Sequence, residues 1–382
     1  MKIRSPLSAD VYLRRNIGKT IPLVAVIVLA VLLISSIVAL LNSIPLSIRT
    51  IYSSTAEYLG VTPRGDTSQT PLYIEDMKQN APVPIERMVV CRASGCMVRS
   101  IVGPWPFVVL GLNREDAEFY LKRQKVEKLI GRMPESGKPE AVISEPVARN
   151  LKLKLGSNLQ SPTNPDGYSP FPVKVVGIAQ TDRWLMIGDI DYQKANHFPP
   201  VDLAMAYAAT PDDQRKLDAW AVKHFKGKRA QIYTFAQLDK DTSKNFAVLY
   251  AILNVIIATL VVVITLMMGL LINIYQGQRL IEFGLLQALG FTKRQLIRRT
   301  ILESAWFIAI GWILGIGMAY LALLGVKAKL MNPNAWALLA FDKMAFAYTV
   351  PVPIAILIVA TFTVLLRFRK FDPVGVVERR LV

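Results

Sequence analysis

Four stretches without a single charged residue set the frame for this chain. They lie between Lys19 and Arg49, Lys244 and Arg279, Glu303 and Lys327, and Lys343 and Arg367. They hold 29, 34, 23 and 23 residues, mostly Leu, Ile, Val, Ala and Phe. About 20 apolar residues cross a bilayer as a helix, so each stretch predicts a transmembrane helix. The first exceeds the roughly 7–15 apolar residues of a signal peptide and is followed by no clear cleavage site, which favours a span over a leader. Only 19% of the 382 residues are charged, against about 25% in soluble domains. A soluble enzyme and a disordered chain are both disfavoured.

Lys and Arg near the span ends orient the chain. Five precede the first span (Lys2, Arg4, Arg14, Arg15, Lys19) and five follow the second (Arg279, Lys293, Arg294, Arg298, Arg299). Another five follow the fourth (Arg367, Arg369, Lys370, Arg379, Arg380), and only three, Lys327, Lys329 and Lys343, lie between the third and fourth. Both termini are therefore expected in the cytoplasm, and the long segment 49–244 outside. The net charge of +17 is then mainly topological, and a nucleic-acid partner is not expected. The expected fold class is an α-helical membrane protein with four transmembrane helices, one and then three. A mixed α/β extracytoplasmic domain is inserted between helices 1 and 2.

In residue numbers, 1–19 is a cytoplasmic tail, 20–48 the first span and 49–244 the outer domain. Residues 245–278 are the second span, and at 34 residues it is long enough for its outer end to leave the membrane as a stalk; a tilted helix with an end loop is the alternative. Then come a cytoplasmic helix and loop (279–303), the third span (304–326), a short outer loop (327–343), the fourth span (344–366) and a cytoplasmic tail (367–382).

In the outer domain, 86–102 reads as a hairpin turning at Arg92-Ala93-Ser94-Gly95. Cys91 and Cys96, the only cysteines, flank that turn. In an oxidising compartment they would pair as a disulfide; free thiols are the alternative. Residues 113–133 read as a helix capped by Asn113, and Thr210-Pro211-Asp212-Asp213 opens another, running to about Phe225, with Asp213 completing a capping box. Strands are expected at 139–144, 171–180, 201–208 and 230–235.

The search for chemistry is mostly negative. Gly18-Lys19-Thr20 imitates the end of a phosphate loop, but Leu13 stands where that motif needs glycine. The two histidines are His197 and His224, and the sequence contains no HExxH, GxSxG or CxxC. Asp182, Asp189 and Asp191 surround Arg183-Trp184-Leu185-Met186, either a surface loop with a buried anchor or a partner or cation site. No catalytic residue and no metal site is expected. The charge-free spans contain no Asp, Glu, Lys, Arg or His, unlike ion-coupled carriers, so the energy for any transport would come from elsewhere. Gly311-x-x-x-Gly315 allows close helix contact, inside the chain's own bundle or at a dimer seam.

The most specific stretch is Arg279-Leu-Ile-Glu282-Phe-Gly284-Leu285-Leu286-Gln-Ala288-Leu289-Gly290. It predicts a short amphipathic helix that Gly290 ends, with Thr292 capping the next. Such a helix suits docking into a partner's groove or resting on lipid headgroups. With Glu303 further on, it resembles the R-x-x-E-[IF]-G-x-L-[RK]-A-L-G segment of the ABC-transporter permease family that includes MacB, LolC/LolE and FtsX. It departs at Gln287, where the family is often basic, and at Phe291, often small. Leu13-Arg14-Arg15-Asn16 and Phe371-Asp372-Pro373-Val374 resemble the family's start and end, and 131–180 resembles a MacB-type periplasmic core domain.

The resemblance implies a non-catalytic permease subunit of a bacterial inner membrane. It has no cofactor of its own; a separate ATPase chain binds ATP and Mg. It also implies a second permease subunit, identical or paralogous, a periplasmic adaptor, and membrane lipid as surroundings. Residues 279–290 would be the coupling helix, with Glu282, Gly284, Leu285, Leu286 and Leu289 as the docking surface. Two roles follow from the family: export or extraction of a lipid, lipoprotein or peptide-like substrate, or FtsX-like signalling to a periplasmic enzyme such as a cell-wall hydrolase.

Overall fold

The computed structural model describes residues 17–196, 198 and 202–369, without the side chains of Ile17, Lys19 and Thr67. Leu13–Asn16, His197 and Phe371–Val374 lie outside the described residues. Among the described residues two compact units emerge, one of 17–41, 248–327 and 339–369, the other within 42–247 and 328–338.

The chain opens with helix α1 (Ile17–Ile51), whose first two-thirds belong to the first unit. From Asn42 on it is part of the second, where Ser43, Ile44, Ser47, Ile48 and Ile51 are buried at helical spacing. Arg49 pairs there with Asp239. The helix that reaches into the outer domain is thus the first one. Of the long second apolar helix, only Ala247 belongs to the outer unit.

The outer unit is built on one ten-stranded mixed sheet, in the order β10-β1-β9-β2-β3-β8-β5-β7-β4 with β6 on β7. Its strands are β1 (Leu59–Pro63), β2 (Ile85–Ser100), β3 (Gly103–Leu112), β4 (Lys128–Gly131), β5 (Glu140–Ser144), β6 (Asn158–Gln160), β7 (Val173–Gln180), β8 (Met186–Asp189), β9 (Asp202–Ala208) and β10 (Ala230–Tyr233). Helices α2 (Thr70–Asn80), α3 (Arg114–Arg123), α4 (Glu145–Leu151), α5 (Ile190–Ala195), α6 (Pro211–His224) and α7 (Phe235–Asn245) complete it.

Three readings of the sequence are corrected here. Residues 85–100 are one unbroken strand, not a hairpin turning at Arg92–Gly95. The first half of β2 pairs with β9 and the second with β3; Arg92 is in both ladders, and Ala93-Ser94-Gly95 are held extended by β3. The real turn is Ile101-Val102. Cys91 and Cys96 therefore sit five residues apart on one strand, about 16 Å, beyond disulfide reach. Their odd separation puts them on opposite faces and in different core clusters, and both are free. The expected helix 113–133 ends at Arg123, because Lys125 turns left-handed (φ 53°) and Lys128–Gly131 joins the sheet edge against β7.

The caps agree with the sequence. Asn113 accepts the Asp116 N–H at 2.8 Å, and Thr210 accepts that of Asp213 at 3.1 Å. Asp213 does not reach back to the Thr210 backbone; the Thr210 hydroxyl donates to its carboxylate instead. Trp184 is a buried anchor, edge-on to Phe107. Asp189 caps α5 and also accepts the Gly137 N–H. No cluster of metal-ligating side chains occurs among the described residues.

Beyond α7 come α8 (Ala247–Gly277), α9 (Leu280–Ala288), α10 (Lys293–Val326), α11 (Lys343–Ala347) and α12 (Pro351–Arg369). Among the described residues, four helices are long and apolar enough to cross a membrane. A side chain at Gly311 would meet the Ile27 Cβ at 2.9 Å, and one at Gly315 the Val31 Cβ at 2.7 Å. The two glycines therefore seat α10 directly on α1 within the chain. Residues 328–338 return to the outer unit. The Asn334 carbonyl accepts from the Asn150 amide at 2.7 Å, Trp336 Nε1 donates to the Arg99 carbonyl at 2.8 Å, and Ala337 N donates to Ser47 Oγ at 3.0 Å.

Candidate functional site

The short segment between α8 and α10 is fixed first by its backbone. Gly290, at φ 94°, lets its N–H reach the Gln287 carbonyl (2.9 Å) and that of Phe291 the Leu286 carbonyl (3.1 Å). These two bonds form a Schellman close to α9. Thr292 then opens α10 with a full capping box: its hydroxyl accepts the Gln295 N–H, and Gln295 Oε1 accepts the Thr292 N–H at 2.9 Å.

Below α9 lies a closed ring of four charges. Arg279 donates from Nε to Glu282 at 3.0 Å and from NH1 to Glu303 at 2.6 Å. Arg299 donates from Nε to Glu303 at 2.9 Å and from NH2 to Glu282 at 3.4 Å. The side chains of Arg279 and Glu303 are each 3% exposed. Burial works against the Arg279 charge, yet its bonds to Glu282 and Glu303 outweigh that and hold its pKa above the usual range. Alternation of sign makes the ring neutral, and each charge has two opposite neighbours. Beside it Phe283, Leu296, Val364 and Phe368 form a buried apolar cluster, with Phe283 tilted on Phe368 at 5.1 Å. Arg279 lies over the Phe283 ring at 5.1 Å. Charges and cluster together clamp α9 to the start of α10 and the end of α12.

The opposite face of α9 is bare and apolar. Ile281, Leu285 and Leu289 are 42%, 56% and 77% exposed, at a spacing of four that lines them up along the helix, and Ala288 is exposed beside them. The predicted residues thus divide. Leu285, Ala288 and Leu289 share the outer stripe, and Gly290 is exposed at its end. Arg279 and Gly284 are buried beneath, while Glu282 and Leu286 are half-buried. Sequence reasoning missed Ile281 as a stripe member, although the 281/285/289 spacing signals it. It also missed Arg299 as the fourth ring member. Its pair with Glu303 has helical i,i+4 spacing, but its pair with Glu282, 17 positions back, is one that helical spacing does not show.

Residues 252–373 match the FtsX-like permease C-terminal family model. This part of the chain is similar to the C-terminal region of FtsX-like permeases. No curated protein matches the chain. Among solved structures, the periplasmic region of MacB from Actinobacillus actinomycetemcomitans is similar at 12% identity, over 52% of this chain and 96% of that one, with TM-score 0.29. The extracellular domain of the noncanonic ABC-type transporter YknZ from Gram-positive bacteria is similar at 16% identity, over 46% and 100%, with TM-score 0.28. TM-scores this low add no weight to the fold, which rests on the sheet described above. Residues 279–303 lie wholly inside the matched region.

Proposed function

We propose that this FtsX-like protein is the membrane subunit of an ABC transporter in a bacterial inner membrane, with both termini in the cytoplasm. A separate ATPase chain binds ATP and Mg and docks on α9. Ile281, Leu285, Ala288 and Leu289 form the contact, and the ion ring holds the helix at a fixed angle to α10. A second permease subunit, identical or paralogous, completes the complex, and a periplasmic adaptor extends it. ATP-driven movement passes through the spans to the outer domain and drives export or extraction of a lipid, lipoprotein or peptide-like substrate. The observation that supports this reading best is an exposed apolar stripe on a nine-residue helix anchored by buried charges. A surface helix with nothing to meet would turn its leucines inward.

The test is a pull-down from mild detergent with an ATPase assay on the eluate. The wild type should recover a stoichiometric ATPase. Leu285→Glu should cut recovery and stimulated hydrolysis at least tenfold without lowering thermal stability. Charge reversal at Glu282 or a bulky residue at Gly284 would also disturb the ring or the buried face, so Leu285 is the cleaner position. Full ATPase recovery with Leu285→Glu, or a wild type that brings down no ATPase, overturns the reading.

A further inference from the structure

The outer unit contains a half-open cavity of about 240 Å³. Among the described residues no charged side chain lines it. Its polar groups are Ser54, Thr55 and four tyrosines. Two of those tyrosines have their hydroxyls engaged: Tyr52 accepts from Trp105 Nε1 at 2.8 Å, and Tyr120 is hydrogen-bonded to Ser54. Ring faces and aliphatic groups such as Leu110, Leu203 and Leu238 do the lining. Protein interiors are packed nearly without voids, and an apolar cavity that persists takes up apolar ligands rather than water.

Size and chemistry narrow the occupant. A protein helix is about 10 Å across with its side chains and does not enter. A charged ligand would find no counter-charge, and a sugar would meet a mostly apolar wall. The volume falls short of the roughly 300–1,000 Å³ of drug-sized pockets, which leaves a thin, unbranched apolar chain. At the mouth, Val108 is exposed, and on the same face of the β2–β3 ladder Pro106 faces Met97, also exposed. This apolar track runs on from the cavity for the part of a chain that does not fit inside. The cavity wall also includes Ile51, Tyr52, Ser54, Thr55 and Tyr58, where the chain leaves the first apolar helix, and Leu238, about nine residues before the next one begins. These segments tie the cavity by connectivity to the source of such chains.

We infer that the outer domain binds one acyl chain of a membrane lipid in this cavity. The inference deepens the export reading, in which the outer domain meets the cargo, but it is measured without an ATPase, so either can fail alone. The full chain is placed in phosphatidylcholine nanodiscs containing a phospholipid with an ω-diazirine acyl chain, irradiated, and mapped by peptide mass spectrometry. Label is expected on 51–58 or 106–110. Ala93→Phe, which fills the cavity opposite Leu110, and Val108→Gln, which makes the mouth polar, should each lower it at least fivefold while labelling of α8 stays constant. Val108 is an exposed position, so that variant reads out even where Ala93→Phe fails to fold. Absence of label in 51–58 and 106–110, or undiminished label in Val108→Gln, overturns the proposal. Labelling by a free diazirine fatty acid but not by the phospholipid overturns the membrane source.

Discussion

Removing the Glu303 carboxylate should loosen α9 while leaving its exposed surface intact. Glu303 accepts two ionic hydrogen bonds, 2.6 Å from Arg279 and 2.9 Å from Arg299, and none of the three side chains is more than 6% exposed. Glu303→Gln keeps the shape and deletes the charge. Two buried guanidiniums then share Glu282 alone, which is 35% exposed and correspondingly screened. Breaking one partner out of a buried pair costs about 3–5 kcal/mol. At about 1.4 kcal/mol per decade, the amides of α9 should exchange with deuterium at least about 100-fold faster. Replacing both charges of one pair with apolar groups is often close to neutral. The double variant Arg279→Met, Glu303→Met should therefore recover most of the loss, with a coupling energy of about 1–3 kcal/mol. Exchange of α9 within threefold of wild type in Glu303→Gln, or a double variant as damaged as the sum of its singles, would refute the ring as the anchor.

Two further outcomes follow in the outer domain. Burial pushes the Asp218 carboxyl up to about 6, opposed by the Gln214 amide that donates to it at 3.0 Å. A raised acid favours the folded state fully below its unfolded value near 3.9, and that contribution is lost as pH rises through about 6. About two units correspond to about 3 kcal/mol, so Asp218→Asn should remove a fall in stability between pH 4 and 6, read from Trp220 fluorescence on the same helix during unfolding. The opposite acid limb comes from Asp76, held at about 2 against its burial by bonds from Lys228 and His224; its contribution disappears as pH drops from about 4 to 2. For the cysteines, burial pushes both thiols up, Cys96 to about 12. Maleimide should modify neither until the protein unfolds, and reductant should leave the melting temperature unchanged; an oxidised Cys91–Cys96 pair by mass spectrometry would contradict the strand assignment.

What the sequence discloses here depends on the distance over which each decision is made. Span positions and caps are local: charge-free runs, Asn113, Thr210, Gly290 and Thr292 act on residues within four positions. Strand β2 is decided at long range. Arg92-Ala-Ser-Gly95 has the composition of a turn, yet β3 holds all four residues straight, and β9, about 110 positions away, pairs with Arg92 and the half of the strand before it. The helix after Asn113 had favourable charges through Lys128, but edge pairing with β7 claimed those residues. The site divides in the same way. The stripe is a helical period and can be read directly, whereas the ring needs the turn at Gly290 to bring Arg299 and Glu303 back to Arg279. The resemblance located the segment; the fold shows which of its residues face outward.

Strand β2 has a mechanical meaning as well. Its sixteen residues serve the β9 side with one half and the β3 side with the other, so no linker separates the two sides of the sheet. A load applied along the strand meets its ladder bonds in shear, all at once, rather than unzipping them one after another. The two sides of the sheet are therefore joined by continuous backbone and not by a hinge.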